Sequence, residues 1–125
     1  MTRVTPNNIQ ELKRDEIFVF GSNARGQHDG GAAKLAHEKF GAIYGKGNGH
    51  HGNTYAINSM DGLFEMDRCI KALIDYAKTY KHLTFFVTEI GCGIAGYTPE
   101  QIAPLFKDAK ELENVYLPQR FLDLL

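Results

Sequence analysis

Several residue types that often mark function are scarce or missing in this sequence. Tryptophan is absent and there are two cysteines. Cys69 and Cys92 lie far apart and form no C-x-x-C pair, so we expect reduced thiols and neither a disulfide framework nor a zinc site. No stretch reaches the roughly 18 apolar residues that a membrane span requires, and the polar N-terminus lacks a signal-peptide core. The sequence therefore predicts a cytoplasmic protein without membrane partners.

An excess of charge of either sign is also missing. The 125 residues include 14 Lys and Arg against 15 Asp and Glu, a net charge of −1. No broad electrostatic field would gather nucleic acid, so extended nucleic-acid binding is not expected and an anion must be bound by local geometry. The length and the 43% hydrophobic composition predict one domain over residues 1–125.

Glycine is abundant, and it gathers in three clusters that divide the chain. The apolar run at residues 17–20 predicts a strand that ends in the first cluster, GSNARGQHDGG. Residues 32–40 then have helical spacing. The second cluster, GAIYGKGNGHHGN at residues 41–53, predicts irregular structure before a strand at residues 54–57. Apolar positions over residues 64–80 predict an amphipathic helix that packs on a sheet.

The third cluster, GCGIAGY, follows a predicted buried strand at residues 83–90. A helix should begin after it, with Thr98 as the N-cap, Pro99 in the first turn and Gln101 completing a capping box. Pro104 should lie near the first turn or kink this helix. A short strand at residues 115–117 ends the pattern.

Alternating strands and helices predict an α/β fold, with a mainly parallel or mixed sheet and helices on both faces in a three-layer α/β/α arrangement. Ligands of such sheets bind at the carboxyl ends of the strands. The first and third glycine clusters follow the two most apolar strands, so both should lie at that edge.

These two loops are candidates for binding a phosphate. Glycine permits main-chain amides to approach an anion closely, and a following helix contributes its positive end. The alternative is that the glycines only form tight turns. Neither loop is a Walker A motif, and the Gly91-x-Gly93-x-x-Gly96 pattern lacks the downstream segment of a dinucleotide-binding fold.

The motifs G-S-N-A-x-G-x-x-x-G-G-A-A at residues 21–33 and V-T-x-I-G-C-G-I-A-G-Y at residues 87–97 resemble those of the macro domain, specifically its compact bacterial and phage-type members. The resemblance extends in element order over residues 17–118. It implies a macro-domain-like fold that binds ADP-ribose, a derivative or an ADP-ribosylated macromolecule, without a cofactor. The acidic adenine-reading motif of that family has no clear counterpart, and Asp15 and Glu16 are the nearest candidates.

The resemblance also implies a set of site residues. The candidate ligand-binding residues are Ser22, Arg25, Gly30, Gly31, Ala32, Gly91, Cys92, Gly93, Ile94, Ala95, Gly96 and Tyr97. The candidate catalytic residues, for hydrolysis of a phosphate, an acyl ester or an ADP-ribosyl link at the distal ribose, are Asn23, His28 and Asp29. Two alternatives stay open, namely a binding module without turnover and a structural or interaction domain.

Each of these residues also has a structural interpretation. The Asn23 amide would contact the ribose or stabilise its own turn through an Asx-type bond. His28 and Asp29 would activate a water molecule, or else His28 is an exposed loop residue and Asp29 a helix N-cap. Arg25 would bind a phosphate or remain a solvated surface arginine.

Cys92 and Tyr97 allow similar pairs of interpretations. A thiolate at Cys92 would be favoured near a helix start, but the C-x5-R pattern of cysteine phosphatases is absent, because Thr98 stands where its arginine would be. Tyr97 would stack on a ribose or base, or cover the loop from behind.

The segment 45–52 contains Lys46, His50 and His51 and is a candidate lid over a bound phosphate. A zinc site at the two histidines is the competing hypothesis. No nearby Cys, Asp or Glu completes the metal-ligand spacing, so we expect no metal and solvent-facing histidines.

Overall fold

Five strands form one mixed sheet in the computed structural model, which describes residues 3–23, 25–28 and 30–125. The strands are β1 (Glu16–Ser22), β2 (Gly49–His51), β3 (Thr54–Asn58), β4 (Thr84–Val87) and β5 (Val115–Tyr116). Their order across the sheet is β2-β3-β1-β4-β5. β1 pairs in parallel with β3 and β4, β4 pairs in parallel with β5, and β2 pairs antiparallel with β3.

Helical segments follow four of these strands, namely β1, β3, β4 and β5. They are α1 (Gly31–Leu35), which continues as a π-helical turn (Ala36–Phe40), α2 (Leu63–Thr79), α3 (Pro99–Ile102), which continues as a 3₁₀ helix (Ala103–Glu111), and α4 (Gln119–Leu122). The prediction of an α/β fold with a mixed sheet is confirmed, and the three-layer arrangement stays a prediction. Among the helices of the described residues, none is both long and apolar enough to cross a bilayer.

The central strand β1 is covered on both faces, as its unbroken apolar run predicted. Ile17 and Val19 belong to one hydrophobic cluster, whereas Phe18 and Phe20 belong to another with Phe40. All four strand residues are at most 3% exposed. Because successive side chains of a strand point to opposite faces, the two clusters lie on opposite sides of the sheet.

The helix α2 covers the cluster that contains Ile17 and Val19. Its apolar face includes Met66, Ile70 and Leu73, which are completely buried. Each fully buried side chain of this size contributes about 1.5–3 kcal/mol. The predicted helix at residues 64–80 is therefore confirmed, with bounds shifted by one residue.

The glycine-rich segment 41–53 is not irregular throughout, so that prediction is wrong. Gly49–His51 forms β2, which makes a hairpin with β3. The hairpin turn contains Gly52 with φ of +58°, and the amide of Asn53 donates to the Phe40 carbonyl at 2.8 Å. Glycine adopts this left-handed conformation without strain, so the chain can reverse at Gly52 and residues 49–51 can pair with β3.

The predicted strand at residues 83–90 is shorter in the structure, because β4 ends at Val87. The amide and the hydroxyl of Thr88 both donate to the Val19 carbonyl, at 3.1 and 2.8 Å. The amide of Ile90 in turn donates to the Thr88 carbonyl at 2.7 Å, which turns the chain away from the sheet.

The start of α3 follows its predicted chemistry. The backbone amide of Thr98 donates to Oε1 of Gln101 at 2.9 Å, and Pro99 occupies the first turn. The α-helix gives way to a 3₁₀ helix at Ala103, immediately before Pro104. Proline lacks the amide that an α-helix needs at this point, so the predicted disturbance takes the form of a tighter helix.

The ends of β4 and β5 are joined by the N-terminal segment. The amide of Leu117 donates to the Arg3 carbonyl at 3.2 Å, and the amide of Thr5 donates to the Leu117 carbonyl at 2.8 Å. The Thr5 hydroxyl also donates to the Val87 carbonyl, at 2.7 Å. Residues 3–5 thus bond to the end of both strands, and we call this contact the N-terminal seam.

Candidate functional site

A cleft of about 440 Å³ opens beside the ends of β4 and β5 and over Phe18 within β1, near the edge predicted to hold the ligand. Its volume is within the range of small-molecule sites. One wall is the start of α1, a second is the chain just after β4, and a third is the start of α4 with the segment that follows the N-terminal seam. The lining residues are Thr5, Pro6, Asn7, Asn8, Ile9, Phe18, Gly31, Ala32, Leu35, Val87, Thr88, Glu89, Pro118, Gln119 and Arg120.

Gly31 and Ala32 are the sequence-predicted residues that line this cleft. Gly31 has φ of +57°, and a Cβ added there would meet no atom within 4 Å. Gly30, also beside open space, immediately precedes the helix and has no side chain to cap it. Because the first amides of a helix have no acceptor within the helix, the start of α1 offers donors to a ligand.

The second glycine loop, residues 91–97, begins just beyond the cleft wall and does not line the cleft itself. Three of its amides are bonded internally: Cys92 to the Glu89 carbonyl, Gly96 to Gly93, and Tyr97 to Gly91, at 2.9 to 3.2 Å. Within the described residues, no acceptor is found for the amides of Gly91, Gly93, Ile94 and Ala95, of which Gly91 is buried. The candidate phosphate-binding amides of this loop are therefore limited to those of residues 93–95.

The three glycines of this loop differ in what lies beside them. A Cβ on Gly91 would lie 3.2 Å from Ile102 Cδ1 and from Met66 Cε, whereas one on Gly93 or Gly96 would meet nothing within 4 Å. Gly91 thus provides close packing on the core. Gly93 faces open space next to Ile94, whose side chain is 90% exposed.

Asn23 is engaged within its own loop. Its Oδ1 accepts hydrogen bonds from the amides of Arg25 and Gln27, both at 3.1 Å, and its Nδ2 donates to the Gln27 carbonyl at 3.2 Å. This is the Asx-type arrangement of the structural interpretation. Contact with a ribose stays a prediction. Arg25 is exposed, and Asp29 lies outside the described residues.

His28 is not an exposed loop residue, so that alternative is wrong. The residue is 2% exposed, its Nε2 is hydrogen-bonded to Ser22 Oγ at 3.0 Å, and its ring contacts Phe20 edge-on. Ser22 is itself 4% exposed and accepts the amide of Ser59 on its carbonyl. Ser22 and His28, both predicted site residues, are therefore buried at the end of β1. Their hydrogen bond holds the first glycine loop in place.

The expectation of a favoured thiolate at Cys92 is wrong. Burial raises the pKa of this thiol above its ordinary value of 9.0, and the carboxylate of Glu89 raises it further, while Arg120 acts in the opposite direction. Cys92 and Tyr97 are half-buried and pack against the hydrophobic cluster under α2. Tyr97 thus covers the loop from the core side.

The segment 45–52 is joined to the first glycine loop. The amide of Gly45 donates to the Gly26 carbonyl at 2.8 Å, and a Cβ on Gly47 would overlap the carbonyl oxygen of Asn23. Closure of this segment over a ligand stays a prediction.

The histidines of β2 are not the solvent-facing residues that the sequence suggested. His50 is half-buried and hydrogen-bonded to the Tyr76 hydroxyl and to the Gly52 carbonyl, and His51 is half-buried as well. In the described part of the chain, no three His, Cys, Asp or Glu side chains are grouped to hold a metal ion.

The nearest acidic candidates for reading a base lie at the wrong end of the sheet. Glu16 begins β1 and Asp15 precedes it, whereas the cleft opens at the other end of the parallel strands. Glu16 Oε1 accepts the amide of Lys13 at 2.8 Å. Among the described residues, the acidic one that lines the cleft is Glu89, which the sequence analysis did not identify.

Other cleft residues were missed as well, namely the segment 5–9 and the start of α4. The short turn Pro6-Asn7-Asn8 and the position of Glu89 two residues before Gly91 were the available signals. Neither signal indicates which distant segments meet, since that depends on the strand order. No family model, curated protein or solved structure matches this chain.

Proposed function

We propose that this protein binds an ADP-ribose-type nucleotide in the cleft beside the carboxyl ends of β4 and β5 and the start of α1. The observation that carries the proposal is the meeting of the α1 start with the chain after β4 in one cleft of about 440 Å³. Parallel α/β sheets bind their ligands at this edge. The resemblance of the two glycine motifs to macro domains supplies the class of ligand.

The lining suits a ligand with a flat apolar part and a charged part. Ile9, Ala32 and Leu35 are partly buried and provide apolar surface, while Asn7, Asn8 and Thr88 provide polar groups. Small-molecule sites combine such a mostly apolar lining with a few polar groups that fix orientation. A nucleobase fits the first part, and phosphates fit the amides of α1 and of residues 93–95.

The proposal is limited to binding. The candidate base His28 is buried and hydrogen-bonded to Ser22. Hydrolysis at the distal ribose by Asn23, His28 or Asp29 stays a prediction, and Asp29 lies outside the described residues.

Calorimetric titration with ADP-ribose, ADP, AMP and inorganic phosphate tests the proposal. We expect saturable binding of ADP-ribose and weaker binding of the smaller compounds. Absence of heat from all four would overturn it and leave a structural or interaction domain in its place.

The variant Gly93→Val sharpens the test. Its side chain would enter open space beside the unbonded amides, so the fold should persist while ADP-ribose binding weakens at least about tenfold, as expected when charge-assisted bonds to a phosphate are lost. Lys107→Val, on the exposed side of the 3₁₀ helix, is a matched surface control. A folded Gly93→Val variant with parental affinity would contradict the role of residues 93–95.

A further inference from the structure

Two charged side chains line the cleft, and they are bonded to each other. Nη1 of Arg120 lies 3.0 Å from Oε1 of Glu89. All the other lining residues in the described ranges are apolar or uncharged polar. Among the described lining residues, the single cation is therefore already paired with the single carboxylate.

The pair lies in the cleft, beside the chain that leads into the second glycine loop. Glu89 follows the end of β4 by two residues, and its carbonyl accepts the amide of Cys92 in that loop. Arg120 lies in the first turn of α4. Because both charged residues line the cleft, a nucleotide bound there would lie next to this pair.

A bound anion could replace Glu89 as the partner of Arg120. The Arg120 side chain is 62% exposed and that of Glu89 is 38% exposed, and ion pairs in water-accessible positions are weak. A phosphate can take two parallel hydrogen bonds from a guanidinium, which makes it a strong competitor for Arg120. The Glu89 carboxylate, once released, would lie near the phosphate as a like charge.

We infer that the Glu89–Arg120 pair determines which ligand charge the cleft accepts. Arg120 binds the anionic group of the nucleotide, and Glu89 lowers affinity for that group by competing for Arg120 and repelling the anion. This inference rests on the proposed function. It names two specificity residues and predicts that they discriminate charged nucleotides from a neutral nucleoside.

Calorimetry with adenosine, AMP and ADP-ribose tests the inference on the full chain. Glu89→Gln keeps the shape of the side chain and removes its charge, so AMP and ADP-ribose should bind about two- to fivefold more tightly, the range of an exposed ion pair. Arg120→Gln should weaken both by about tenfold or more, because a charge-assisted contact is lost. The affinity for adenosine should not change in either variant.

The exposed pair of Asp67 and Lys71 on α2, 3.1 Å apart, provides the control. Asp67→Asn makes the same charge change as Glu89→Gln outside the cleft and should leave all three affinities unchanged. Equal tightening in both variants would overturn the inference in favour of net charge. Parental binding by Glu89→Gln, or weaker binding, would also overturn it.

The failure of the inference is distinguishable from failure of the proposed function. If the parent protein binds none of the three compounds, both fall. If the parent binds ADP-ribose and the two cleft variants change adenosine binding as much as ADP-ribose binding, the cleft is retained and the charge-selecting role alone is wrong.

Discussion

The two glycine loops that follow β1 and β4 use the same residue type for different purposes. Gly26 of the first loop and Gly47 of the segment 45–52 pack so closely on neighbouring backbone that no side chain fits at either position. In the second loop, Gly93 and Gly96 stand beside open space. Glycine content alone therefore does not identify a ligand site, because protein fills the place of the missing side chain at Gly26 and Gly47 and solvent fills it at Gly93 and Gly96.

The first loop is also stabilised by internal hydrogen bonds. Asn23 bonds three main-chain groups of Arg25 and Gln27, and His28 is held by Ser22 beneath it. The second loop retains unbonded amides at residues 93–95 within the described part of the chain. These contacts stabilise the first loop, whereas ligand contact by the second loop and the start of α1 is the proposal that the variants below test.

The largest expected loss of stability is at the contact between the segment 45–52 and the first loop. Gly47→Ala would place a Cβ on the Asn23 carbonyl oxygen, where backbone must move, so we expect a loss of about 3 kcal/mol in the free energy of unfolding or failure to fold. The matched variant Gly93→Ala should change it by less than about 0.5 kcal/mol. Urea denaturation measures both, and similar losses in the two variants would abolish the distinction between the loops.

A medium effect is expected at the base of the first loop. Ser22→Ala removes the hydroxyl that is hydrogen-bonded to His28 Nε2 at 3.0 Å in a buried site. An unsatisfied buried polar group costs about 1–3 kcal/mol, so the variant should lose stability in that range. Thermal and urea unfolding measure it. A loss near zero would mean that His28 finds another partner and that the loop does not depend on this contact.

The smallest effect concerns the reactivity of the second loop. Burial, followed by the Glu89 carboxylate, raises the pKa of Cys92, so less thiolate is present at neutral pH than in an unfolded chain. Alkylation of Cys92 should be slower in the folded protein than in urea, and its rate should rise as the pH approaches the raised pKa.

Peptide mapping by mass spectrometry follows Cys92 separately from Cys69, whose pKa burial also raises. Faster alkylation of Cys92 in the folded protein than in urea at neutral pH would contradict this account. It would restore the hypothesis of an activated thiol at the start of the loop.

Local patterns predicted the strands and helices where burial dominates. The apolar run in β1, the helical spacing in α2 and the capping residues around Thr98 each indicated the correct element. These signals are reliable because each depends on neighbours in the sequence. The hairpin strand β2 was missed, since its glycine and two histidines carry no strand pattern and it forms only by pairing with β3.

The site was harder to predict for the same reason. The sequence indicated Gly31 and Ala32, which line the cleft, because a glycine-rich turn and a helix start are local features. Glu89 and Arg120 are 31 positions apart and meet only because α4 starts beside the end of β4. The burial of His28 likewise depends on Ser22 and the aromatic rings around it, which no spacing rule describes.

The N-terminal seam has a thermodynamic consequence for the cleft. Residues 3–5 bond to the ends of β4 and β5, and the chain continues directly into the wall formed by Asn7 and Asn8. Occupancy by a nucleotide and docking of this segment would then be linked equilibria. If the docked segment strengthens nucleotide binding, the bound nucleotide must stabilise the docked segment by the same free energy.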